Sequence, residues 1–381
     1  MYVIQNGTLY TMDGQGVLQA DLRMENGKIT QIGTNLSTEG ATVIDAAGKC
    51  VTPGFVDPHS HAGGLEASGE QDLNEMTNPL TPELDAYYAI NPDSKDFRLL
   101  IRQGITTSCL APGSANVVGG WVFACKSAGK DRVVKRPVAL KAAMGINPKG
   151  CYAGKNQAPM TRMAIANILR GYLRKVQEYM DKKEAAGNDP EKLPPFDMGL
   201  EHGIPVLKKE IPLKVHSYMH DMMTVLEIAR EFDIRITLDH ALGASDYYEE
   251  LCDPHVQGVI FGPTCEPLFG GEGGKLDPWC CKGLDDRGVP VAVMTDSPVT
   301  VVNMLTYEMG EAVRWGMDPI RALAMVTCGS AKILNIDSRV GSLTVGKDAD
   351  LLIWDKLPSL YTDAILEQVF IDGEPVYQKE D

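Results

Sequence analysis

From about residue 56 to residue 335, short apolar runs alternate with segments whose apolar residues recur at helical spacing. That alternation is typical of βα units, in which buried parallel strands are joined by amphipathic helices. Helices are predicted around residues 165–180 and 225–232, and from an N-cap at Asp318-Pro319. The predicted strands after the first are residues 105–110, 137–144, 212–216, 235–240, 258–262 and 289–296.

Both ends of the chain show a different pattern, in which short strand-like runs are separated by glycine turns. Asn6-Gly7 and Asn26-Gly27 are hairpin signals, because asparagine and glycine tolerate positive φ. Strand character returns near the C-terminus. We therefore predict that residues 1–55 and 336–381 build one small β-sandwich domain, and that residues 56–335 form a separate α/β body.

Composition and net charge limit the classes of molecule that this protein is expected to bind. The 381 residues, 44% hydrophobic and 23% charged, are typical of a globular protein with room for one large barrel or two to three average domains. The net charge of -15 disfavours nucleic acid and anionic membrane surfaces. No apolar run has the length of a membrane span, the N-terminus lacks signal-peptide features, and the nine cysteines show no paired spacing. We expect a cytoplasmic protein with reduced thiols that acts on a small molecule, and homo-oligomerisation stays open.

Two histidines separated by one residue end the strand-like run that leads into the α/β body. Because successive side chains of a strand alternate between its faces, His59 and His61 point the same way and can reach one metal ion. Alone, the pair leaves another interpretation open, in which both are strand-end histidines that are capped by hydrogen bonds or exposed.

Single side chains able to bind metal also stand at the carboxyl ends of later predicted strands, namely His216, His240 and Asp296. A lone strand-end histidine, taken by itself, is more often a hydrogen-bonded structural residue than a ligand. In a (β/α) barrel, however, the carboxyl ends of the strands face one common bowl. The recurrence of His or Asp at these ends indicates a metal site assembled from distant parts of the chain.

These residues lie in motifs that resemble the metal-dependent amidohydrolase superfamily, in the branch near imidazolonepropionase-like proteins. The motifs are Pro-Gly-Phe-Val-Asp-Pro-His-Ser-His at residues 53–61, Met-Thr-Asp-Ser at 294–297 and Gly-Ser-Leu-Thr-Val-Gly-Lys-Asp-Ala-Asp-Leu at 341–351. The resemblance covers nearly the whole chain and implies a TIM-like (β/α)8 barrel with a composite β-sandwich from both termini. It also implies a hydrolase that cleaves a non-polymeric C–N bond in a cyclic, linear or dipeptide-like amide.

The resemblance assigns roles to these side chains. It makes His59 and His61 ligands of a first metal, His216 and His240 ligands of a second or shared site, and Asp296 both ligand and proton acceptor. Zinc is the expected ion, with iron, manganese or cobalt as alternatives. A metal-activated hydroxide would attack a carbonyl carbon, while Asp296 takes the proton and returns it to the departing nitrogen.

The number of metal ions depends on the fourth strand of the barrel, where binuclear members of the superfamily carry a carboxylated lysine or a glutamate as bridge. Lys141 lies inside an apolar run, where an ammonium group is costly, so a lowered pKa and reaction with carbon dioxide are expected. A lysine that snorkels out or pairs with an acid is the alternative. The family pattern has a glutamate at the position of Ile146, so one metal instead of two is also an open expectation.

Three further histidines have weaker claims. His220 follows His216 by four residues, near the start of a predicted helix, and is a candidate either to contact substrate or to cap that helix. His202 and His255 are predicted to lie at the surface.

Some flanking residues are predicted to support the site. Asp57, beside the His59/His61 pair, and Asp239, directly before His240, are expected on the opposite face of their strands, in structural or ligand-supporting roles. The loop from residue 63 to about 88 and the glycine-rich residues 262–274 are long enough to cover the bowl. The second is expected to be either a lid or a flexible connection.

Two other functions stay open. Deamination of a ring amidine would use the same metal site, and a non-catalytic homologue would keep the barrel as an assembly module, although such proteins usually lose ligands. Serine hydrolysis is disfavoured because there is no Gly-x-Ser-x-Gly motif. Nucleotide binding is disfavoured because the glycine run lacks the strand-to-helix context and the lysine of a phosphate-binding loop.

Overall fold

A computed structural model describes residues 1–65, 71–265 and 274–380. Its strands are β1 (Tyr2–Tyr10), β2 (Val17–Glu25), β3 (Lys28–Gly33), β4 (Thr42–Asp45), β5 (Cys50–Pro53), β6 (Phe55–Ser60), β7 (Ile105–Leu110), β8 (Val118–Lys126), β9 (Val133–Ala143), β10 (Leu213–Ser217), β11 (Ile236–His240), β12 (Val256–Phe261), β13 (Val291–Val293), β14 (Leu351–Trp354), β15 (Leu366–Ile371) and β16 (Glu374–Gln378). Its α-helices are α1 (Lys95–Arg102), α2 (Ile146–Ala153), α3 (Arg162–Ala186), α4 (Met198–Leu207), α5 (His220–Phe232), α6 (Cys280–Asp285), α7 (Met304–Arg314), α8 (Pro319–Met325) and α9 (Cys328–Ile333).

Strands β6 to β13 form a mostly closed, TIM-like barrel in which neighbours in the chain are neighbours in space. All neighbouring pairs are parallel except those of β8, which runs antiparallel to both β7 and β9. At the seam between β13 and β6, the Asp296 N–H donates to His59 O at 3.1 Å and the His61 N–H donates to Ser297 O at 2.7 Å. The predicted regular (β/α)8 order therefore holds for seven strands and fails for β8.

The reversal of β8 has a simple geometric cause. Residues 111–117 and 127–132 are the only links on its two sides, and a parallel crossover needs a dozen or more residues. Its Gly119-Gly120 pair looks like a turn in the sequence but lies inside the strand, where a Cβ on Gly120 would come within 2.5 Å of Leu84 O. A close backbone approach, and not a turn, explains that glycine.

Strands from both ends of the chain share a second sheet, in the order β16-β15-β14-β5-β1-β2-β3, with β4 paired to β1. Strand β14 joins the two ends, since it lies antiparallel to both β5 and β15. Its faces enter different cores: Leu351 and Ile353 pack with the N-terminal strands, whereas Leu352 and Trp354 pack with the barrel. The sheet is thus buried on both sides at this strand.

The two Asn-Gly pairs near the N-terminus behave differently. Asn26-Gly27 forms the predicted two-residue turn between β2 and β3, with φ of 50° and 77°. The hairpin predicted at Asn6-Gly7 is wrong, because both residues lie inside β1 at an irregularity of its pairing with β2. Asn6 has φ of 61° and its N–H donates to Asp21 Oδ1 at 3.0 Å. A β-bulge uses the same tolerance of positive φ as a turn.

The helix predictions are confirmed by α3, α5 and α8, and Asp318 caps α8 by accepting from the Ile320 N–H at 2.9 Å. Among the described residues, no helix has both the length and the apolar character needed to cross a membrane. Residues 66–70 and 266–273, parts of the two loops predicted to cover the bowl, lie outside the described residues.

Candidate metal centre

Three side chains from the seam of the barrel form the tightest group of potential metal ligands. His59 and His61 stand at the end of β6, and Asp296 follows β13. One ligand atom of each lies within 4.8 Å of the other two, and all three residues are buried. Asp296 Oδ1 is 3.3 Å from His59 Nε2 and 3.2 Å from His61 Nε2. The structure therefore brings the first predicted ligands to one point.

The local backbone explains how Asp296 reaches this point. Its φ of 54° turns the chain out of the extended conformation directly after β13, a conformation that is uncommon for residues other than glycine. Asp57 fixes the neighbouring residue, accepting from both the N–H and the hydroxyl of Thr295. Burial raises the pKa of Asp57 to about 7, against the lowering effect of these hydrogen bonds. Asp57 thus ties the strand of His59 to the strand end of Asp296.

His216 and His240 lie beside this group. Their ring centroids are 4.1 Å apart, and the His240 ring is 5.3 Å from that of His59. Both stand at the ends of adjacent strands, β10 and β11. The structure therefore brings together all five predicted histidine and aspartate ligands.

The prediction that Asp239 faces away from the site is wrong. His240 has φ of 68° and Ala241 has φ of 51°, so the alternation of a regular strand stops at His240. Asp239 is fully buried and its Oδ2 contacts His59 Nδ1. Both Asp239 and His240 consequently reach the histidine cluster.

Lys141 lies in β9, opposite Lys214 of β10. It is fully buried, and its Nζ has no hydrogen-bond partner among the described residues. Burial, together with the charge of Lys214, lowers the pKa of Lys141 to about 8, although Asp239 and Asp296 oppose that shift. Neither snorkelling to solvent nor a hydrogen-bonded ion pair describes this amine. Ile146, at the position where the family pattern has a glutamate, lines the cavity above the site.

The donor set fits a divalent cation. Both ring nitrogens of His216 and Lys141 Nζ are buried without a hydrogen-bond partner, and Asp296 Oδ1 meets His59 Nε2, itself a candidate ligand atom, at 3.3 Å. Leaving one such atom unsatisfied costs roughly 1–3 kcal/mol, so several together indicate that a ligand belongs there. Imidazole and carboxylate are the ligands that zinc and related metals take.

The protonation states also suit metal binding. Burial lowers the pKa of His59, lowers that of His216 well below its usual range, and lowers that of His240 to about 3. Although burial alone would raise the pKa of Asp296, its contacts with His59 and His61 hold it well below the usual range. Neutral imidazoles beside an ionised carboxylate are the forms that bind a cation.

A cavity of about 530 Å³ opens above the cluster, and His61, His216, His240 and Asp296 form part of its lining. Tyr218 also lines it, with its ring 4.8 Å from that of His216. The sequence reasoning missed Tyr218, although the two-residue step from His216 to Tyr218 was a readable signal. A larger cavity of about 940 Å³ lies alongside, but none of the candidate ligands lines it.

The remaining histidines lie elsewhere. His220 is the first residue of α5, is exposed, and does not line the cavity above the cluster. His202 is buried, contrary to prediction, because its ring stacks on Trp121 at 3.6 Å and its Nδ1 lies 2.8 Å from Pro82 O. His255 is partly exposed and contacts Asp253 and Asp233.

Comparison with known proteins shows which sequences this chain resembles. Two family models, both described as the Amidohydrolase family, match residues 42–87 and 280–376. The chain is 27% identical to amidohydrolase tasK of Hapsidospora irregularis over 93% of its own length but spans only 39% of that protein. It is 27% identical to imidazolonepropionase of Paracoccus denitrificans, covering 93% of this chain and 94% of that one.

A solved structure provides the strongest of these similarities. An amidohydrolase from Thermotoga maritima superimposes with a TM-score of 0.94 at 33% identity, and the match covers 100% of both chains. The chain therefore belongs to the amidohydrolase family, in its imidazolonepropionase-like branch, and is a hydrolase that acts on carbon–nitrogen bonds.

Proposed function

We propose that the protein hydrolyses the C–N bond of a small, non-polymeric amide, cyclic, linear or dipeptide-like, at a divalent metal centre. His59, His61 and Asp296 would hold the ion, with His216 and His240 completing this site or forming a second one. The observation that carries the proposal is the convergence of buried ligand atoms of His59, His61 and Asp296 on one point, beside nitrogens of His216 and Lys141 that have no hydrogen-bond partner. A divalent ion bound there would acidify a water molecule and polarise the substrate carbonyl.

Asp296 is the proposed proton shuttle. The low pKa of its carboxylate keeps it ionised before reaction, so it can accept one proton from the attacking water. It then returns that proton to the departing nitrogen, which leaves as an amine, while the carbonyl carbon gains the water oxygen. Contacts with the imidazoles of His59 and His61 hold the Asp296 carboxylate in place between taking up the proton and returning it.

The cavity favours a small cyclic or linear amide over a dipeptide-like amide that carries a carboxylate next to the scissile bond. Its volume of about 530 Å³ lies in the range of small-molecule sites. No Lys or Arg is part of its lining in the described residues, and residues 66–70 and 266–273 contain none in the sequence. Amide side chains, those of Gln71, Asn74 and Asn147, line it instead. These suit the N–H and C=O groups of an amide.

We also propose that zinc is the natural ion and that Lys141, if carboxylated, bridges two ions. A buried amine that has a lowered pKa and no hydrogen-bond partner among the described residues supports that reaction. Without carboxylation, the histidine and aspartate ligands would hold a single ion. Measurement of the metal content of the purified protein per chain distinguishes these cases.

Outside the site, we propose that the shared terminal sheet, residues 1–55 and 336–381, folds as a β-sandwich domain and that residues 56–335 form the hydrolase domain. The separate hydrophobic core formed by residues such as Leu22, Ile29 and Phe370 supports the division. The composition supports a cytoplasmic enzyme that binds neither nucleic acid nor membranes.

The proposed function is tested by a panel of amides and ring amidines against metal-loaded and chelator-treated protein. We expect turnover of an amide, loss of turnover on metal removal, and recovery on adding zinc, iron, manganese or cobalt. Release of ammonia from ring amidines, with no amide cleaved, would instead assign the deaminase reaction. Within the panel, a carboxamide should be a better substrate than the matched carboxylate, and the reverse order would contradict the proposed charge selectivity.

A further inference from the structure

Three buried side chains from different strands form a continuous polar line beneath the metal site. Asp239 Oδ2 lies 2.7 Å from Lys214 Nζ and also contacts His59 Nδ1. The other carboxylate oxygen, Oδ1, accepts from the Thr237 hydroxyl at 3.2 Å. Asp239 and His59 are fully buried and Lys214 is 1% exposed. The line therefore runs Lys214–Asp239–His59 and ends at the imidazole.

This arrangement determines which nitrogen of His59 faces the site. With Nδ1 against a carboxylate, the ring proton belongs on Nδ1, and Nε2 keeps its lone pair. His59 Nε2 is the atom that lies 3.3 Å from Asp296 Oδ1 and has no hydrogen-bond partner. A carboxylate behind a ligating histidine fixes both the tautomer and the direction of the ring.

His61 offers an internal comparison. Its Nδ1 lies 2.8 Å from Ala111 O, so a backbone carbonyl holds that ring with Nε2 towards Asp296. Both histidines thus present Nε2 to the same carboxylate, but only His59 depends on a side chain for its orientation. Substitution can remove that support from His59 and leave His61 unchanged.

Lys214 explains how a carboxylate can be kept charged at this depth. A lone ion in the protein interior loses its hydration at a cost of several kcal/mol, and a close opposite charge is needed to offset it. Lys214 supplies that charge from the adjacent strand, β10, at 2.7 Å from the Asp239 carboxylate.

We propose that Asp239 and Lys214 are positioning residues, which hold His59 in the Nδ1–H tautomer so that its Nε2 is available to the metal. The proposal rests on the proposed metal centre, although the tautomer itself is a property of the metal-free chain. Neither residue is a ligand or touches the substrate cavity. Their direct contacts reach the metal site through His59, and their charges also act in opposite directions on the pKa of Lys141.

The tautomer is read by proton–nitrogen correlation spectra of the metal-free protein labelled in its seven histidines, with His59 assigned by the loss of its signal in His59→Asn. Metal affinity is measured by competition with a chromophoric chelator for wild type, Asp239→Asn and Lys214→Met. Asp350→Asn is the matched control, because Asp350 is likewise buried and paired with a buried lysine, Lys126 at 3.1 Å, but contacts no histidine.

We expect the Nδ1–H form of His59 in wild type, affinity about 10- to 100-fold weaker in Asp239→Asn, and a smaller loss in Lys214→Met, where Asp239 still contacts His59. Asp350→Asn should bind metal as wild type does. An Nε2–H form in wild type, or wild-type affinity in both Asp239→Asn and Lys214→Met, would overturn the proposal. The tautomer of wild-type His59 tests the positioning proposal even if Asp239→Asn does not fold. Failure of the wild-type protein to bind any metal ion would instead reject the proposed function.

Discussion

Two buried lysines of this protein, Lys126 and Lys141, are both inside the barrel wall and both without access to water. Lys126, at the end of β8, lies 2.8 Å from Asp348 and 3.1 Å from Asp350 and also contacts Asp372. Lys141, in the neighbouring strand, has no hydrogen-bond partner for its amine. Burial acts on both, but the three carboxylates raise the pKa of Lys126, whereas that of Lys141 falls to about 8.

The difference separates a structural cluster from a functional one. Asp348 and Asp350 come from the closing motif of the sequence, so that motif joins the terminal sheet to the barrel through Lys126. Around Lys141, the ring nitrogens of His216 have no hydrogen-bond partner, and the Asp296 carboxylate contacts His59 and His61, which are candidate ligands themselves. Buried charges that satisfy one another stabilise a fold, and buried polar atoms that do not are reserved for a ligand.

The largest expected effect is on catalysis, at the metal-site residue Asp296. Asp296→Asn should lower kcat/KM at least about 10²- to 10⁴-fold, because it removes both a ligand and the proton acceptor. Steady-state kinetics on the best amide of the panel measures it, with Asp350→Asn as a control that should keep wild-type kcat/KM. Retained turnover in Asp296→Asn would reject the proposed mechanism.

At the Lys126 cluster, which Lys126 forms with Asp348, Asp350 and Asp372, the expected effect is on stability. Lys126→Met should lower the free energy of unfolding by about 3–5 kcal/mol, because it leaves the fully buried Asp350 without its cation. Denaturant titration monitored by circular dichroism measures the change. A loss below about 1 kcal/mol would show that the cluster does not hold the terminal sheet to the barrel.

The pH dependence of the same cluster gives a smaller effect. Burial, partly offset by Lys126, raises the pKa of Asp350 from 3.8 to about 6. A carboxyl whose pKa is higher in the folded state stabilises the fold while it is protonated, and that stabilisation is lost as the pH rises from about 4 to 6. The difference in unfolding free energy between wild type and Asp350→Asn should therefore shrink over this window by at most about 3 kcal/mol. A constant or growing difference would contradict the shifted pKa.

The smallest expected stability effect is at Lys141. Lys141→Met removes a buried amine that has no partner, so the free energy of unfolding should change by less than about 1 kcal/mol or rise. Metal content per chain should fall at the same time if the carboxylated amine is a bridge. A stability loss as large as that of Lys126→Met would erase the distinction between the two lysines.

The sequence was informative where a local rule decides the structure. The Asp318 cap, the Asn26-Gly27 turn and the strand-end positions of His59, His216 and Asp296 follow from local backbone preferences and from strand periodicity. The barrel itself was expected from its alternating pattern and from a family resemblance carried by motifs.

What the sequence missed depends on tertiary contacts. Strand β8 contains Gly120 because the backbone of Leu84 approaches it, a contact invisible in the sequence. Asp239 and His240 both reach the site because positive φ at His240 interrupts the alternation of the strand. His202 is buried by stacking on Trp121. None of these features has a periodic signature along the chain.

The most direct test of the central claim is anomalous X-ray scattering from crystals of the metal-loaded protein, recorded at the absorption edge of the bound ion. We expect a peak between His59, His61 and Asp296, with a second peak near His216 and His240 if Lys141 is carboxylated, and none at the Lys126 cluster. Metal-loaded crystals without a peak beside His59, His61 and Asp296 would contradict this claim.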